Sequence, residues 1–590
     1  MSLEQLANEL LLEVFDYLDC LTIFRAFYGL NYRFNQLIIL QIQKFDLDFR
    51  LVPKCSFDLF CQQHLPLLKT RIVSLHLSNE INIPELPDSF RSYGHRMNQF
   101  IILKFLSISC YSINMLRRIL TECHNLSYLA RLHIHTTNYD SMEDHYRYLI
   151  EAIWTLPHLT HCQIDVLYSS SAWFSSMSTV STSIQNLSTS GTSYSLTTLC
   201  NLLDHTPNLK QLEVGHVTVT DDAPLAVTFP SLRSLRLICD TSIRSIQPFF
   251  QIIPNLCDLT VHVSNIESNG SVWEQIFVDY LKNIKTFRLV MNIQFGSYHD
   301  DFYEMKVEQL FNSFRSDFWL KKRQWFIRCD TYQINTKDIC LLYTLPYPFE
   351  TFSYIGNSRS KSTSPHPFNL TDYSQVRTLE HVRNNPCTVI NGFTFIPIRC
   401  DNIRHLKLKF PIDEHFDSII LTLNYLISLD VILYEDEDYH QLQRLLQRAP
   451  HLRQLKFCHP GKFSMASFNL FSPSIRQLDF FQTSGFRLRY FSSTECALFV
   501  DLPLAVQCEI LTMDVRNRTD IVKLINAMPN LQAMNVHCQD GITCADRTIK
   551  IHDDLIEWLH KHLSSDCSYT IVRQGYTNIP LINISINRQK

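Results

Sequence analysis

One short frame recurs through most of this 590-residue chain and limits what it can fold into: an apolar residue, two others, an apolar residue, one other, an apolar residue. Clear copies are Leu209, Leu212 and Val214; Leu232, Leu235 and Leu237; Leu256, Leu259 and Val261; Ile403, Leu406 and Leu408; Leu452, Leu455 and Phe457; and Leu531, Met534 and Val536. Adjacent copies start about 23 to 28 residues apart, and extending the frame both ways gives about 18 units from Ile72 to Val536. A period of that length marks stacked supersecondary units, none of which can bury its apolar side alone. Counting the first apolar residue as position zero, positions three and five of a strand face one way, and two and four the other. Position four holds His76, His133, Glu213, Arg236, Lys407, Asp430, Lys456 and Asp479 among others, with Phe326 the one apolar residue in the series. Each strand is therefore expected to have a core face and a wet face.

Helical stretches lie between the strands and stop at proline. Pro157, Pro207, Pro230, Pro254, Pro450, Pro473 and Pro529 each sit two residues before the next anchor. A proline there ends the preceding structure and makes its predecessor extended, which sets up a strand. Strand, helix, proline, strand is an α/β unit. The period and these motifs resemble leucine-rich repeats over roughly Ile72 to Val536. The resemblance implies a curved, irregular solenoid whose concave surface is made of the wet strand faces. The family's Asn or Cys at position eight, which bonds the turn backbone, has Asn292 as its lone match. The weakest units lie near Lys322 and Phe349, where Trp325 and Phe352 stand in place of leucine.

Two stretches compete for the role of linker. Between 169 and 198, 18 of 30 residues are Ser or Thr. Ile184 and Leu187 nevertheless keep the repeat period, so a degenerate repeat with a loose loop at 169–178 is expected. Residues 356–367 carry no such signal and read as an exposed, mobile loop.

Charge excludes several classes of partner. With 53 basic and 57 acidic side chains and no basic tail, nothing marks a nucleic-acid or polybasic membrane binder. The 12 glycines form no phosphate-cradling or nucleophile-elbow motif. Glu4, Glu9 and Glu13 interrupt what a secretory signal would need, and no apolar run reaches transmembrane length. The 19 scattered cysteines read as reduced, partly buried thiols, so a cytoplasmic or nuclear chain is expected; separately, no cofactor is expected.

The first residues leave the repeat pattern. Leu6, Leu10, Leu11, Val14, Phe15 and Leu18 mark an amphipathic helix; Thr22 can cap a second with Ile23, Phe24, Ala26, Phe27 and Leu30; a third carries Phe34, Leu37 and Ile38. Periodicity alone leaves open whether they cap the first repeat or bind a partner. Leu6, Glu9, Leu10, Leu11, Val14, Phe15, Tyr17, Leu18, Asp19, Ile23 and Phe24 together resemble the F-box, with Ala7 where that family has proline and Phe34 near its tryptophan. The resemblance implies the substrate-recognition subunit of a Skp-cullin-F-box ubiquitin ligase, non-catalytic itself. The adaptor would meet Leu6, Leu10, Leu11, Val14, Phe15, Leu18, Ile23 and Phe24, and the repeats would hold a target protein. The alternative is a repeat-based binding scaffold without a ligase role. The chain accordingly divides into an F-box at 1–45, a linker helix region at 46–71, leucine-rich repeats at 72–540 and a C-terminal cap at 541–590.

Rival chemistry is thin. His133 and His135 share one expected strand, with His76 as the third imidazole a site would need, but no carboxylate or thiolate accompanies them to complete a zinc site. Cys55, Cys61 and His64 lie among apolar residues and read as core. The two His-Asp-Asp triplets, at 299 and 552, are solitary, and the second reads as a helix start capped by Asp553. A target is expected on the concave face at His405, Lys407, Gln454, Lys456, Gln477 and Asp479. Cross-strand pairing is the competing account of the alternating charges Lys407, Asp430, Lys456 and Asp479.

Overall fold

A computed structural model describes residues 3–588 apart from 43, 51, 53, 78–85, 110–112, 137–142, 171–173, 175–176, 219–226, 240–242, 265–267, 296–302, 335–336, 356–357, 367–371, 383–393, 395–397, 413–415, 421, 434–437, 458–468, 481–489, 541–549, 564–566 and 575–580. The chain forms two compact units, residues 1–268 with 272–287, and residues 269–271 with 288–590.

The first unit opens with three short helices, α1 (Asn8–Asp16), α2 (Cys20–Phe27) and α3 (Tyr32–Gln36). Among the described residues nine strands follow, β1 (Phe45–Asp48), β2 (Ile72–Leu77), β3 (Phe105–Ser109), β4 (Arg131–Thr136), β5 (His161–Ser170), β6 (Asn186–Ser195), β7 (Gln211–Thr218), β8 (Ser234–Cys239) and β9 (Asp258–Val263). They pair in chain order, all parallel. Leu-to-Leu register carries the core from strand to strand: Leu187, Leu212, Leu235 and Leu259 are successive partners. In the six clear repeat copies no frame residue exceeds 3% exposure. Strand β6 lies between β5 and β7, so the Ser/Thr-rich stretch is a repeat and not a linker. Within its expected loose loop Phe174 and Met177 are buried.

Strand β1 was not anticipated. The expected helical region 46–71 starts with it, and the repeat frame begins one unit earlier, at Ile42, Phe45 and Leu47. Phe45 and Leu47 are buried, and Leu47 partners Leu75. The spacing was readable in the sequence; dense helix signals on its N-terminal side masked it.

The second unit contains an antiparallel set and a ten-stranded sheet. In the antiparallel set β12 (Lys337–Thr344) pairs with both β10 (Thr286–Gln294) and β11 (Ile327–Ile334), and β11 with β14 (Arg359–Ser362). The weak unit near Lys322 is thereby corrected: Lys322 is exposed in a helical turn, Phe318–Arg323, and the chain then makes a hairpin. Residues 359–362 of the expected mobile loop are strand β14, with Ser360 buried. Asn292 stands mid-strand opposite Leu341, with its buried carbonyl oxygen unbonded, and so serves no turn.

The ten-stranded sheet runs β13 (Thr351–Ile355), β15 (Thr378–Val382), β16 (His405–Lys409), β17 (Ser428–Ile432), β18 (Gln454–Phe457), β19 (Gln477–Asp479), β20 (Ile510–Val515) and β21 (Ala533–Cys538), all parallel. Two antiparallel strands complete it, β23 (Leu581–Arg588) beside β21 and then β22 (Cys567–Gln574). The helix before them begins by Lys550, so Asp553 lies inside it and is not its cap. The triplet at 299 lies outside the described residues.

A turn device replaces the missing position-eight residue. The Asn just before the anchor sends its side-chain N–H to a backbone carbonyl one repeat earlier: Asn208 to Thr182 at 2.7 Å, Asn255 to Pro230 at 3.1 Å, Asn283 to Pro254 at 3.2 Å, Asn402 to Ser374 at 3.1 Å and Asn530 to Val506 at 2.8 Å. Every acceptor sits two residues before its own anchor. The recurring Pro-Asn-Leu motif was visible, but only the stacking of neighbours gives the Asn something to bond.

Candidate functional site

The residues singled out from the sequence fall in three places, the N-terminal helices and a polar strand face of the first unit and a polar strand face of the second. On the N-terminal helices, α2 starts at Asp19, not at Thr22: Asp19 Oδ1 accepts from the Thr22 backbone N–H at 2.9 Å and Oδ2 from its hydroxyl at 2.6 Å. Asn31 caps α3 by accepting from Phe34 N–H at 3.0 Å. Helix α1 has Ala7 at its N-cap and no side-chain cap. Arg33 of α3 ties down that start instead, donating to Asn8 Oδ1 at 2.8 Å and to the carbonyls of Glu4 and Leu6.

The candidate adaptor residues separate into two groups. Leu11, Phe15, Ile23 and Phe24 are buried within the chain. Phe15 meets Phe27 edge to face, and Phe24 packs on Tyr28, Phe45, Phe60 and His64 with ring centroids 5.1 to 6.0 Å apart. These four are core groups unavailable to a partner, a correction to the expected contact set. Leu6, Val14 and Leu18 are half-buried, and Leu10 is 47% exposed. The structure adds Leu3, Tyr17, Leu30 and Tyr32 to the exposed apolar set, with Tyr17 at 91% and Tyr32 at 79%. Helical periodicity identified the amphipathic faces but not which side the chain itself covers.

On the polar strand face of the first unit, the carboxylate missing from the sequence reading is Asp165. His133 Nε2 lies 2.7 Å from Asp165 Oδ2, which also accepts from Gln163 at 2.9 Å. Ser107 Oγ stands 3.4 Å from His133 Nδ1. Burial holds His76 and His135 below the ordinary imidazole range. Asp165 lies two residues along the strand from its frame position, a juxtaposition set by the register of β4 and β5. Cys61 is buried and His64 packs against aromatic rings, as core groups do. The described cysteines are free thiols, and most are buried. Among the described residues no group of three or more His, Cys, Asp or Glu side chains is placed to hold a metal ion, and no helix is long and apolar enough to cross a membrane.

In the second unit, the parallel register sets Glu380, Lys407, Asp430, Lys456 and Asp479 side by side on consecutive strands. Lys407 Nζ bonds Glu380 Oε1 at 2.6 Å, and Lys456 Nζ lies 3.5 Å from Asp479 Oδ2. An open depression of about 290 Å³ is bordered by Thr378, Glu380, His405, Lys407, Ser428 and Asp430. Of the expected target patch, His405 and Lys407 line it, whereas Gln454, Lys456 and Gln477 are partly covered side chains on the next strands. Asp479 is buried, with 4% exposure, and is unavailable to a target. Beyond it the position-four groups Thr512 and Asn535 are also buried and bonded to each other at 3.1 Å, so the wet face ends near β18. Asp514 and His537 form a further buried pair at 2.8 Å.

These features define a protein of stacked strand-helix repeats, α/β in class, with a long parallel sheet and a leucine-rich-repeat-like frame. No family model matches the sequence, and no curated protein matches it. Among solved structures the chain is similar to the crystal structure of the TLR13–ssRNA13 complex, at 12% identity and a TM-score of 0.25, covering 80% of this chain and 67% of that one. A likeness that slight carries no argument about function.

Proposed function

We propose that the chain is the substrate-recognition subunit of a Skp-cullin-F-box ubiquitin ligase, its N-terminal helices docking the Skp-type adaptor and its polar strand face holding a target protein. The observation that carries this reading is the split character of the helices. Leu11, Phe15 and Phe24 are sealed inside the chain, while Leu3, Leu10, Tyr17, Leu30 and Tyr32 of the same short module stand in solvent. Exposed apolar side chains gathered on one small module favour a partner surface. In this reading the chain performs no bond chemistry. It acts by raising the concentration of a target lysine beside a charged conjugating enzyme.

A second reading, a binding scaffold without ligase function, has its own support. Phe24 packs on Phe45 of β1 and on Phe60 and His64, which is how a helical cap would seal the first strand. Binding of the purified full-length chain to a Skp-type adaptor and cullin separates the two. Phe15→Asp would put a charge into the core and abolish folding and binding together. Leu10→Asp with Tyr17→Asp changes only the exposed side. Loss of adaptor at least about tenfold with unchanged thermal unfolding is expected if those side chains are interface anchors. A folded double variant that still holds the adaptor, or a wild type that never binds it, leaves the scaffold reading.

A further inference from the structure

We propose that Asp430, at the edge of the depression on the polar strand face, is a subsite for a basic side chain, an arginine or lysine, of a polypeptide target. The proposal rests on the reading of this strand face as the target-holding surface and adds what that surface recognises. Five charged side chains stand in register, Glu380, Lys407, Asp430, Lys456 and Asp479. Parallel neighbours are only about 5 Å apart, so each lysine has two carboxylates within reach. Both lysines choose the outer one: Lys407 bonds Glu380 at 2.6 Å and Lys456 lies 3.5 Å from Asp479. The Asp430 carboxylate is left between them with no hydrogen bond or ion pair to a side chain of any described residue, while both ammonium groups act on it only through space.

Each ammonium group is paired with its outer carboxylate, so Asp430 is the carboxylate of this row left without an ion-pair partner. The side chain is half-buried, and burial pushes its carboxyl above the ordinary aspartate range despite Lys456, Lys407 and His405 nearby. A carboxylate so placed gains from a cation brought to its open side. Asp430 borders the depression, as does Ser428 two residues before it on the same strand. An anionic target group would find both lysines already engaged and the spare carboxylate facing it. A guanidinium suits the place better than an ammonium, because its planar fork can take two oxygens and it is the more weakly hydrated cation.

The test uses the full-length protein and a display library of random twelve-residue peptides. Clones retained by the wild type are measured against Asp430→Asn, which keeps the shape and removes the charge. Enrichment of Arg or Lys in the retained peptides, with binding reduced about tenfold or more by Asp430→Asn, is the expected result. Wild-type binding of those peptides should also weaken with added salt, a measurement that needs no variant. Retained peptides that lack basic residues, or that bind Asp430→Asn as tightly as wild type, overturn the subsite while leaving the strand face as a peptide-holding surface. If the retained peptides bind undiminished after His405→Glu with Ser428→Arg, which obstructs the depression, the surface itself is wrong and the subsite falls with it. Adaptor binding is measured in parallel and should be untouched by every variant.

Discussion

In the parallel repeats of the first unit, the frame positions of β2 to β9 are nearly all apolar and buried, and ionisable side chains stand on the opposite face. In the antiparallel strands of the second unit, an arginine and an aspartate lie inside. Arg328 and Asp330 are each 3% exposed and meet at 2.7 Å. Ser360 Oγ donates to Asp330 Oδ1 at 2.5 Å and accepts from Arg328 at 2.9 Å; the Tyr343 hydroxyl donates to Asp330 Oδ2 at 2.7 Å. Tyr343 and Tyr373 complete the network through hydroxyls 2.8 Å apart. A repeat is stabilised by what its neighbour buries, so one missing group costs a local amount. The buried network holds its charges only while every partner is in place.

Removing Asp330 should therefore give the largest effect. Asp330→Ala leaves the Arg328 guanidinium buried without its counter-charge and should lower unfolding free energy by about 3 to 5 kcal/mol, read from urea denaturation. A loss below about 1 kcal/mol would mean that the network relaxes or admits water, and the contrast between the two regions would fail.

A smaller effect separates the regions by pH. His64, His76, His95, His135 and His161, all in the first unit, are held low mainly by burial. Below the unfolded imidazole value of about 6.5 the unfolded chain takes up protons that the folded one resists, so folding stability falls as pH drops through that value toward the folded ones. Above about 7.5 the penalty is absent. Urea midpoints at successive pH values from neutral to mildly acidic should decline, and His76→Gln with His135→Gln should flatten the decline. An unchanged slope would assign the acid sensitivity to carboxylates.

The smallest effect is expected on the exposed charge row. Glu380→Gln breaks the bond to Lys407, whose side chain is 53% exposed, and should cost less than about 1 kcal/mol. The readout that sharpens the comparison is binding: freed Lys407 can turn to Asp430, so Glu380→Gln should weaken the basic peptides selected on the wild type.

Much of this was legible in advance because repetition averages out local ambiguity. Leu235 alone could belong to a helix or a strand, but the same three-residue frame recurring at a steady interval, with polar residues between, admits one explanation. The hairpin at 327–344 was misread because a single hairpin has no such averaging, and Trp325 and Ile327 fit the frame by chance. Phe15 and Leu10 illustrate a second limit. Both lie on apolar faces of one helix, and only the packing of α2 against it, through Phe27, decides that Phe15 is inside and Leu10 outside.

Charge shows the same division. The sequence by itself determined that Lys407, Asp430, Lys456 and Asp479 occupy equivalent strand positions, because strand alternation is a local property of the backbone. Which lysine bonds which carboxylate, that Asp479 is covered while Asp430 is left to the depression, and that Asp165 meets His133 were decided by tertiary structure. Those outcomes depend on register between strands and on what lies over each position, and residues brought together from 23 to 32 positions apart carry no mark of their pairing in the local sequence.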